Sequence, residues 1–579
     1  MGPFDQRGLP VKRSRSRSFV AAIAALLVIA LGAPASGGFD PWTRAPRTGH
    51  IDVGSRAGKP VPSLVPVEAD ALGRALERGR IGEATYALER ARSLFDLRGV
   101  RARYGDVRRA DARAATLILR DLVARLDGLT ASEQRQARAI LARPTDGAAD
   151  QFGDGYTVAE ATPMCSTHGC VHYVASTLDA PALTDVSPVN GIPDYVDSAV
   201  TTFEEVWTAE VTTYGYRAPK SDITSVNNGG NALIDVYITQ LGDQGLYGYC
   251  TTDDPNTDPA SGYLYYDFSA YCVVDNDYAE FPPPSTGLPG LQVTMAHEFF
   301  HAVQFAYDAL EDTWFMESTS TWMEDEVYDA VNDNLQYLTD SPISMPDVPL
   351  DYNGGFNVYG DWIWPRFLVE SGGDATIVRR AWENADASLG GIDQYGIKAY
   401  ATEIADAGAK FRWAFADFAM YNDAPTELYE EGSSYPIPPY SRRIKVTRGN
   451  GGASGSESLD HLSSSYTWFI PGRGVTDTAK LWVVVDAPAY RTGPEASVVV
   501  FYANGNVRFF PLSVNKQGVA EMVVPFKKGV VSEVDLVMTN ASTRLVNGEC
   551  WVDPSWTYSC AGNPTDDGML FEYSAILLQ

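Results

Sequence analysis

The stretch Ala296-His297-Glu298-Phe299-Phe300-His301 sets two imidazoles four residues apart, with a carboxylate beside the first. On a helix His297 and His301 project from one face, one turn apart, so both rings can reach a single ion. Glu298 then stands beside the open coordination position, where a carboxylate can take a proton from water held by the ion. The chain has only 6 histidines in 579 residues, so chance is a poor explanation of the spacing.

A catalytic zinc requires a third protein ligand. Carboxylates follow in Trp314-Phe315-Met316-Glu317-Ser318-Thr319-Ser320-Thr321-Trp322-Met323-Glu324-Asp325. Glu317 and Glu324 are seven residues apart and share a helix face, so either could complete the site. A third histidine in an H-E-x-x-H-x-x-G-x-x-H pattern is excluded, because Gln304 and Tyr307 stand where the glycine and that histidine would be. Elsewhere His168 and His172 are also four apart, but on a strand-like segment where that spacing separates them by two pleats. Asp185, Asn190 and Asp194, or the acidic loop from Asp253 to Asp258, offer clustered oxygens for a structural calcium ion, without EF-hand spacing. Asn540-Ala541-Ser542 has the glycosylation pattern and reads equally as a turn.

These residues resemble the gluzincin clan of zinc metallopeptidases, in which a glutamate on the helix after H-E-x-x-H completes the site. Trp314 to Glu324 is similar to the clan's second motif, which implies Glu317 as ligand and Glu324 as a supporting acid. More closely, the chain resembles a group of secreted bacterial metalloproteases identified mostly by motif. They share a helical N-terminal region, Asn190-Gly191-Ile192-Pro193-Asp194-Tyr195, the run from Ala296 to Gln304, and Glu317-Ser318-Thr319. The resemblance covers roughly residues 66 to 400 and implies a zincin fold, a mixed sheet whose edge strand holds extended substrate above the active-site helix. Asn357 to Leu368 resembles the start of the helix that supplies a tyrosine to the developing oxyanion in related aminopeptidases. That implies Tyr359 in this role, with Tyr352 as the alternative.

The expected function is a secreted zinc-dependent endopeptidase acting on protein or peptide substrates, with zinc on His297, His301 and Glu317 and Glu298 as the base. An aminopeptidase is the second enzyme reading, although no Gly-x-Met-Glu-Asn type segment precedes His297. The non-enzymatic alternative is an extracellular binding protein that keeps an inert zincin scaffold and works through its C-terminal part.

The elements that must position these groups are legible in outline. Phe300, Val303 and Leu310 give the His297 helix an apolar face, and Pro289-Gly290 is expected to break the chain before it. From about residue 66 to 143 the pattern is helical: Ala115, Leu119, Leu122, Leu126 and Leu129 lay one stripe along a helix. Thr130-x-x-Glu133 reads as a capping box, and Arg143-Pro144 ends the last helix. Between Gln151 and about Asp423 short strands mix with helices, Leu233 to Thr239 and Tyr263 to Asp267 being strand-like. Gly449 to Ser458 reads as a linker. Beyond it come six β runs, Leu481 to Val485, Ser497 to Phe501, Val507 to Phe510, Met522 to Val524, Val534 to Met538 and Met569 to Leu577, with Asn504-Gly505 as a hairpin turn. Together these suggest a β-sandwich.

The expected organisation is thus a multidomain chain: signal peptide 1–35, linker 36–65, helical region 66–150, α+β zincin-like domain 151–445 and all-β sandwich 459–579. Lys12, Arg13, Arg15 and Arg17 precede an apolar run from Phe19 to Leu31 and the small residues Ala33-Pro34-Ala35, which is the pattern of an export signal. The run is shorter than the roughly 20 residues of a spanning helix, so no stable membrane anchor is expected. All 6 cysteines lie beyond residue 160, an even number that permits three disulfides between sequence neighbours in an exported chain.

Net charge is −29 and unevenly spread. Residues 36–150 hold 20 Lys/Arg against 15 Asp/Glu, or +5, whereas residues 151–579 hold 20 against 58, or −38. So acidic a body would repel nucleic acid. The opposite sign of the helical region makes it a candidate pro-region, docking on the body and inhibiting in cis; a plain helical domain is the alternative.

Overall fold

In the computed structural model, residues 67–109, 113–149, 155–257, 265–548, 550 and 557–579 are described. The expected signal peptide and lead-in, residues 1–65, lie outside them, as do Tyr263 and Asp258.

Five helices open the described chain: α1 (Ala71–Glu77), α2 (Glu83–Phe95), α3 (Leu97–Tyr104), α4 (Ala115–Ala124) and α5 (Ala131–Ile140). The capping box forms as read, with Thr130 Oγ1 accepting from Glu133 N and the Glu133 carboxylate accepting from Thr130 N. Helix α4 has no side-chain cap and is held instead by burial of all its residues. Leu119, Leu122, Leu126 and Leu129 are buried as the stripe predicts, although the α-helix ends at Ala124 and a 3-10 turn carries Leu126.

The central body is built on one mixed sheet of β1 (Met164–Cys165), β2 (Gly169–His172), β3 (Ile234–Thr239), β4 (Gly248–Thr251) and β5 (Tyr271–Asp275), in the order β1-β2-β3-β5-β4. Strands β2, β3 and β5 are parallel, and the antiparallel β1 and β4 form the edges. Every residue of β2 to β5 is buried, so both faces are covered, as parallel sheets require. Val236, Ile238, Cys272 and Val274 join the core under α6 (Asp194–Trp207) and α7 (Leu288–Asp308). The alternate residues Tyr237, Tyr249, Tyr271 and Val273 pack instead with Leu88, Leu119 and Leu122 of the helical region.

Two expectations change here. The described part of the Tyr263–Asp267 segment is not a strand, because its backbone ties to the end of α7: Phe268 N donates to Phe305 O (2.8 Å) and Ala309 N to Tyr266 O (2.9 Å). Pro289 and Gly290 do not precede α7 but sit in its first turn, where the N–H that proline lacks has no helical acceptor.

Helix α8 (Thr313–Tyr328) follows α7 and packs along it. Helices α9 (Asn357–Gly360), α10 (Ile363–Gly372), α11 (Thr376–Asn384), α12 (Gly396–Asp406) and α13 (Phe411–Asn422) then build a core around five fully buried tryptophans.

The C-terminal part comprises β6 (Arg442–Val446), β7 (Gly452–Leu459), β8 (Ser463–Pro471), β9 (Lys480–Asp486), β10 (Pro494–Tyr502), β11 (Val507–Pro511), β12 (Val519–Pro525), β13 (Val531–Asn540) and β14 (Met569–Leu578). They form two sheets, β11-β10-β13-β8-β6 and β12-β9-β14-β7, which share one apolar core. All six β runs read in the sequence are strands, and Asn504-Gly505 turns β10 into β11. The linker expected at Gly449–Ser458 is instead mostly strand β7, paired along β14 from Gly452↔Ile576 to Leu459↔Met569. It lies at a sheet edge; a Cβ on Gly455 would crowd Arg442 Nη1 and Tyr573 Oη, and one on Gly452 would run into the Ala575 carbonyl of β14. With β6 and β7 in these sheets, the β region begins before residue 445 rather than at 459.

The cysteines pair as neighbours: Cys165–Cys170, Cys250–Cys272 and Cys550–Cys560. Among the described residues no helix is long and apolar enough to cross a membrane.

Candidate metal centre

Helix α7 is apolar nearly all round, and its buried length fixes His297 and His301 on one face against α8. His301 Nε2 lies 3.2 Å from His297 Nε2, and Glu317 Oε2 of α8 lies 3.1 Å and 3.6 Å from the two nitrogens. Three ligands around a tetrahedral zinc at about 2.0–2.1 Å would stand about 3.3 Å from one another, so the observed triangle fits that ion. Glu317 is fully buried, and its Oε1 meets no donor among the described residues. Burial alone would raise its carboxyl, but the His301 and His297 rings hold it down at about 2, so the cluster offers two imidazoles and one anionic oxygen.

The partners behind the imidazoles fix which nitrogen faces the centre. His297 Nδ1 lies 2.7 Å from Glu324 Oε1, so a neutral ring that keeps its proton there would turn the Nε2 lone pair to the centre. With only the carboxylates as partners, burial would lower its pKa, but Glu317 and Glu324 raise it well above the ordinary value. Glu317 and Glu324, on one helix face as the spacing predicts, thus take different places: Glu317 at the triangle and Glu324 behind His297. Glu324 is pushed up to about 7 by burial, with His297 opposing. His301 Nδ1 lies 2.7 Å from Gln304 Oε1. The Gln304 amide is oriented in turn by donating to Met316 O (2.9 Å), Ser320 Oγ (3.0 Å) and Thr319 Oγ1 (3.1 Å). In the sequence Gln304 excludes a ligand pattern and closes the motif run from Ala296, and its position one turn after His301 is the signal for this role.

Glu298 projects from the same helix into a cleft beside edge strand β4, lined also by His297, Tyr337 and Tyr359. The strand comes close because residue 248 is glycine: a Cβ there would meet Thr294 Cγ2 at 2.8 Å and Glu298 Cγ at 3.2 Å. Glu298 Oε2 accepts a 2.7 Å hydrogen bond from Thr116 Oγ1, at the start of α4. Thr116 Oγ1 also accepts from Cys250 N of β4 (2.9 Å). One hydroxyl of the helical region therefore ties both Glu298 and an outward N–H of the edge strand, and nothing in the sequence signalled it.

The Tyr359 ring runs alongside His297, with centroids 6.3 Å apart, and stacks on Tyr337 at 5.1 Å. Tyr352 is placed elsewhere, beside Tyr558 of the C-terminal part. His168 and His172 do not converge: His168 pairs with Glu204 and stacks on Trp207, while His172 lies between Glu160 and Asp235. The acidic groups considered for calcium are already engaged. Asp185 and Asp194 accept backbone N–H bonds of their own loop, and Asp253 pairs with Arg143. Asn540 is fully buried, donating to Leu459 O and Asp566 O, so the sequon is a structural turn and no glycan can be attached in the folded chain.

Neither the protein-family models nor the curated proteins compared with this chain match it. Among solved structures, one similar chain is a family GH115 4-O-methyl-alpha-glucuronidase with specificity for decorated arabinogalactans, at 9% identity and a TM-score of 0.12. The alignment covers 63% of this chain and 54% of that one, so this chain spans about half its length. A likeness of that degree carries no argument about fold or function.

Proposed function

We propose that this chain is a secreted zinc-dependent endopeptidase of gluzincin type, with a zincin-like body, a C-terminal β-sandwich and an N-terminal helical region that holds the site closed. The observation that carries the reading is the triangle of His297 Nε2, His301 Nε2 and Glu317 Oε2, at 3.1 to 3.6 Å, with a spare buried Glu317 oxygen. Zinc held there would acidify a water and polarise a peptide carbonyl. The residues around it divide the remaining work. Glu298 faces the cleft, where its carboxylate takes the proton of the attacking water and returns it to the leaving amine. Tyr359 lines the same cleft and supplies a donor to the carbonyl oxygen as negative charge builds there. Edge strand β4 offers main-chain groups to an extended peptide.

Helix α4 lies against β4, where an extended peptide would pair, and Thr116 bonds both Glu298 and Cys250 N. That supports inhibition in cis. The same region also covers Tyr237, Tyr249, Tyr271 and Val273 of the sheet, so truncation would expose an apolar face, and a point substitution is the cleaner probe. Thr116→Val keeps the shape and removes both bonds. Losing about 1 to 2 kcal/mol of closure would raise the open population, and cleavage of an unfolded protein substrate, about 5- to 30-fold. Adding Glu298→Ala to that chain should reduce cleavage by at least about 100-fold. A zinc-loaded Thr116→Val chain that cleaves nothing, or cleavage that survives Glu298→Ala, overturns the reading.

A further inference from the structure

One turn before Thr116, Arg113 of the helical region enters the same cleft as His297 and Glu298. Its guanidinium carbon lies 5.0 Å from the Tyr337 ring centroid, 5.5 Å from that of Tyr247 and 5.8 Å from that of Phe356. Its Nη2 donates to Gln336 Oε1 at 2.7 Å. Asp333 lines this pocket too, nearly buried and oriented by a hydrogen bond from Ser285 Oγ. Three aromatic faces, an amide oxygen and a carboxylate are the groups that bind a planar cation: the rings offer their negative faces and the oxygens accept the N–H donors. The walls come from three separate parts of the body, the approach to β4, the segment after α8 and the turn into α9, so the pocket belongs to the body, and Arg113 is its visitor.

We propose that this pocket selects an arginine or lysine side chain of the peptide substrate, and that Arg113 is the chain's own stand-in for it. This rests on the endopeptidase reading for the word substrate, but not for the pocket. With Thr116 on Glu298 and Arg113 in the pocket, the helical region blocks the machinery and the specificity site together. The net charge of −38 over residues 151–579 favours the approach of basic peptides in the same sense.

The test uses the full chain and agmatine, which carries a guanidinium on a four-carbon stem. Calorimetry should show agmatine binding to Arg113→Ala at least tenfold more tightly than to wild type. Adding Asp333→Asn or Tyr337→Ala should weaken that binding at least tenfold, and hexanoate should not bind. Arg113→Gln, which keeps most of the stem, repeats the measurement should the alanine chain fold poorly. In parallel, peptides released from an unfolded protein by Arg113→Ala should be enriched for Arg or Lys at one position beside the cut. Equal agmatine binding by wild type and both variants, or cleavage with no basic preference, overturns the proposal and leaves the protease reading standing. Agmatine binding that depends on Asp333 and Tyr337 in a chain that cleaves nothing upholds the pocket and removes the protease reading.

Discussion

The helical region and the β region both bury apolar surface against the central body, yet their polar side chains end at different places on it. The β region continues the body's own core through Leu462, Tyr466, Trp468, Val499 and Val537. Two of its polar contacts reach the start of α8: Trp314 Nε1 donates to Ser559 Oγ (2.7 Å), and Cys560 N donates to Asp312 Oδ1 (2.8 Å). It thus braces the helix that carries Glu317 from behind. The helical region packs on the sheet's far face and then places Thr116 on Glu298 and Arg113 in the pocket of Tyr247 and Tyr337, beside β4. Buried apolar area alone would not tell these two interfaces apart. The difference lies in where their polar side chains end, and on the proposed reading it separates a support from a stopper.

The comparison is broken most forcefully at Arg143, which anchors the end of the helical region. It is fully buried and pairs with Asp222 (2.7 Å), Asp253 (2.8 Å) and Asp235. Arg143→Ala leaves these carboxylates without their cation, and denaturant titration should show a loss of about 3–5 kcal/mol. A loss below about 1 kcal/mol would mean that the region is not fastened there.

A smaller effect is expected on the other side, at His461, which lies between Asp351 (2.9 Å) and Asp567 (2.6 Å) where the β region meets the body. Burial would lower its pKa, but Asp351 and Asp567 raise it to about 10. The folded value stands above the ordinary one of about 6.5, so the stabilisation is complete below that pH and is lost as pH rises through about 10. Near neutrality His461→Gln should be less stable than wild type by about 1.5–3 kcal/mol. The gap between the two melting curves should close as the solution is taken through the pH at which His461 titrates. A gap that widens instead would contradict the charged pairing.

What the sequence revealed and what it hid follow the range of the interactions. His297, Glu298 and His301 declare themselves because a helix fixes their geometry within one turn, and Glu317 and Glu324 because seven residues return to the same face. The capping box and the Asn504-Gly505 hairpin are local in the same way. The bond from Thr116 to Glu298 spans 182 residues and depends on how α4 lies across β4, which no periodicity encodes. Arg113 likewise meets its pocket only after several separate segments have assembled. Strand β7 was hidden for another reason: its Gly and Ser residues carry the composition of a linker, and its pairing with the distant β14 is not encoded in composition.

The most direct test of the account is zinc stoichiometry per chain by elemental analysis of wild type, Glu298→Gln, Glu317→Ala and Glu324→Ala. The account predicts one zinc in wild type and in Glu298→Gln, and its loss from Glu317→Ala. In Glu324→Ala zinc should bind about 10- to 100-fold more weakly but still be measurable, because that residue would orient His297 rather than ligate the ion. Undiminished zinc in Glu317→Ala would contradict it.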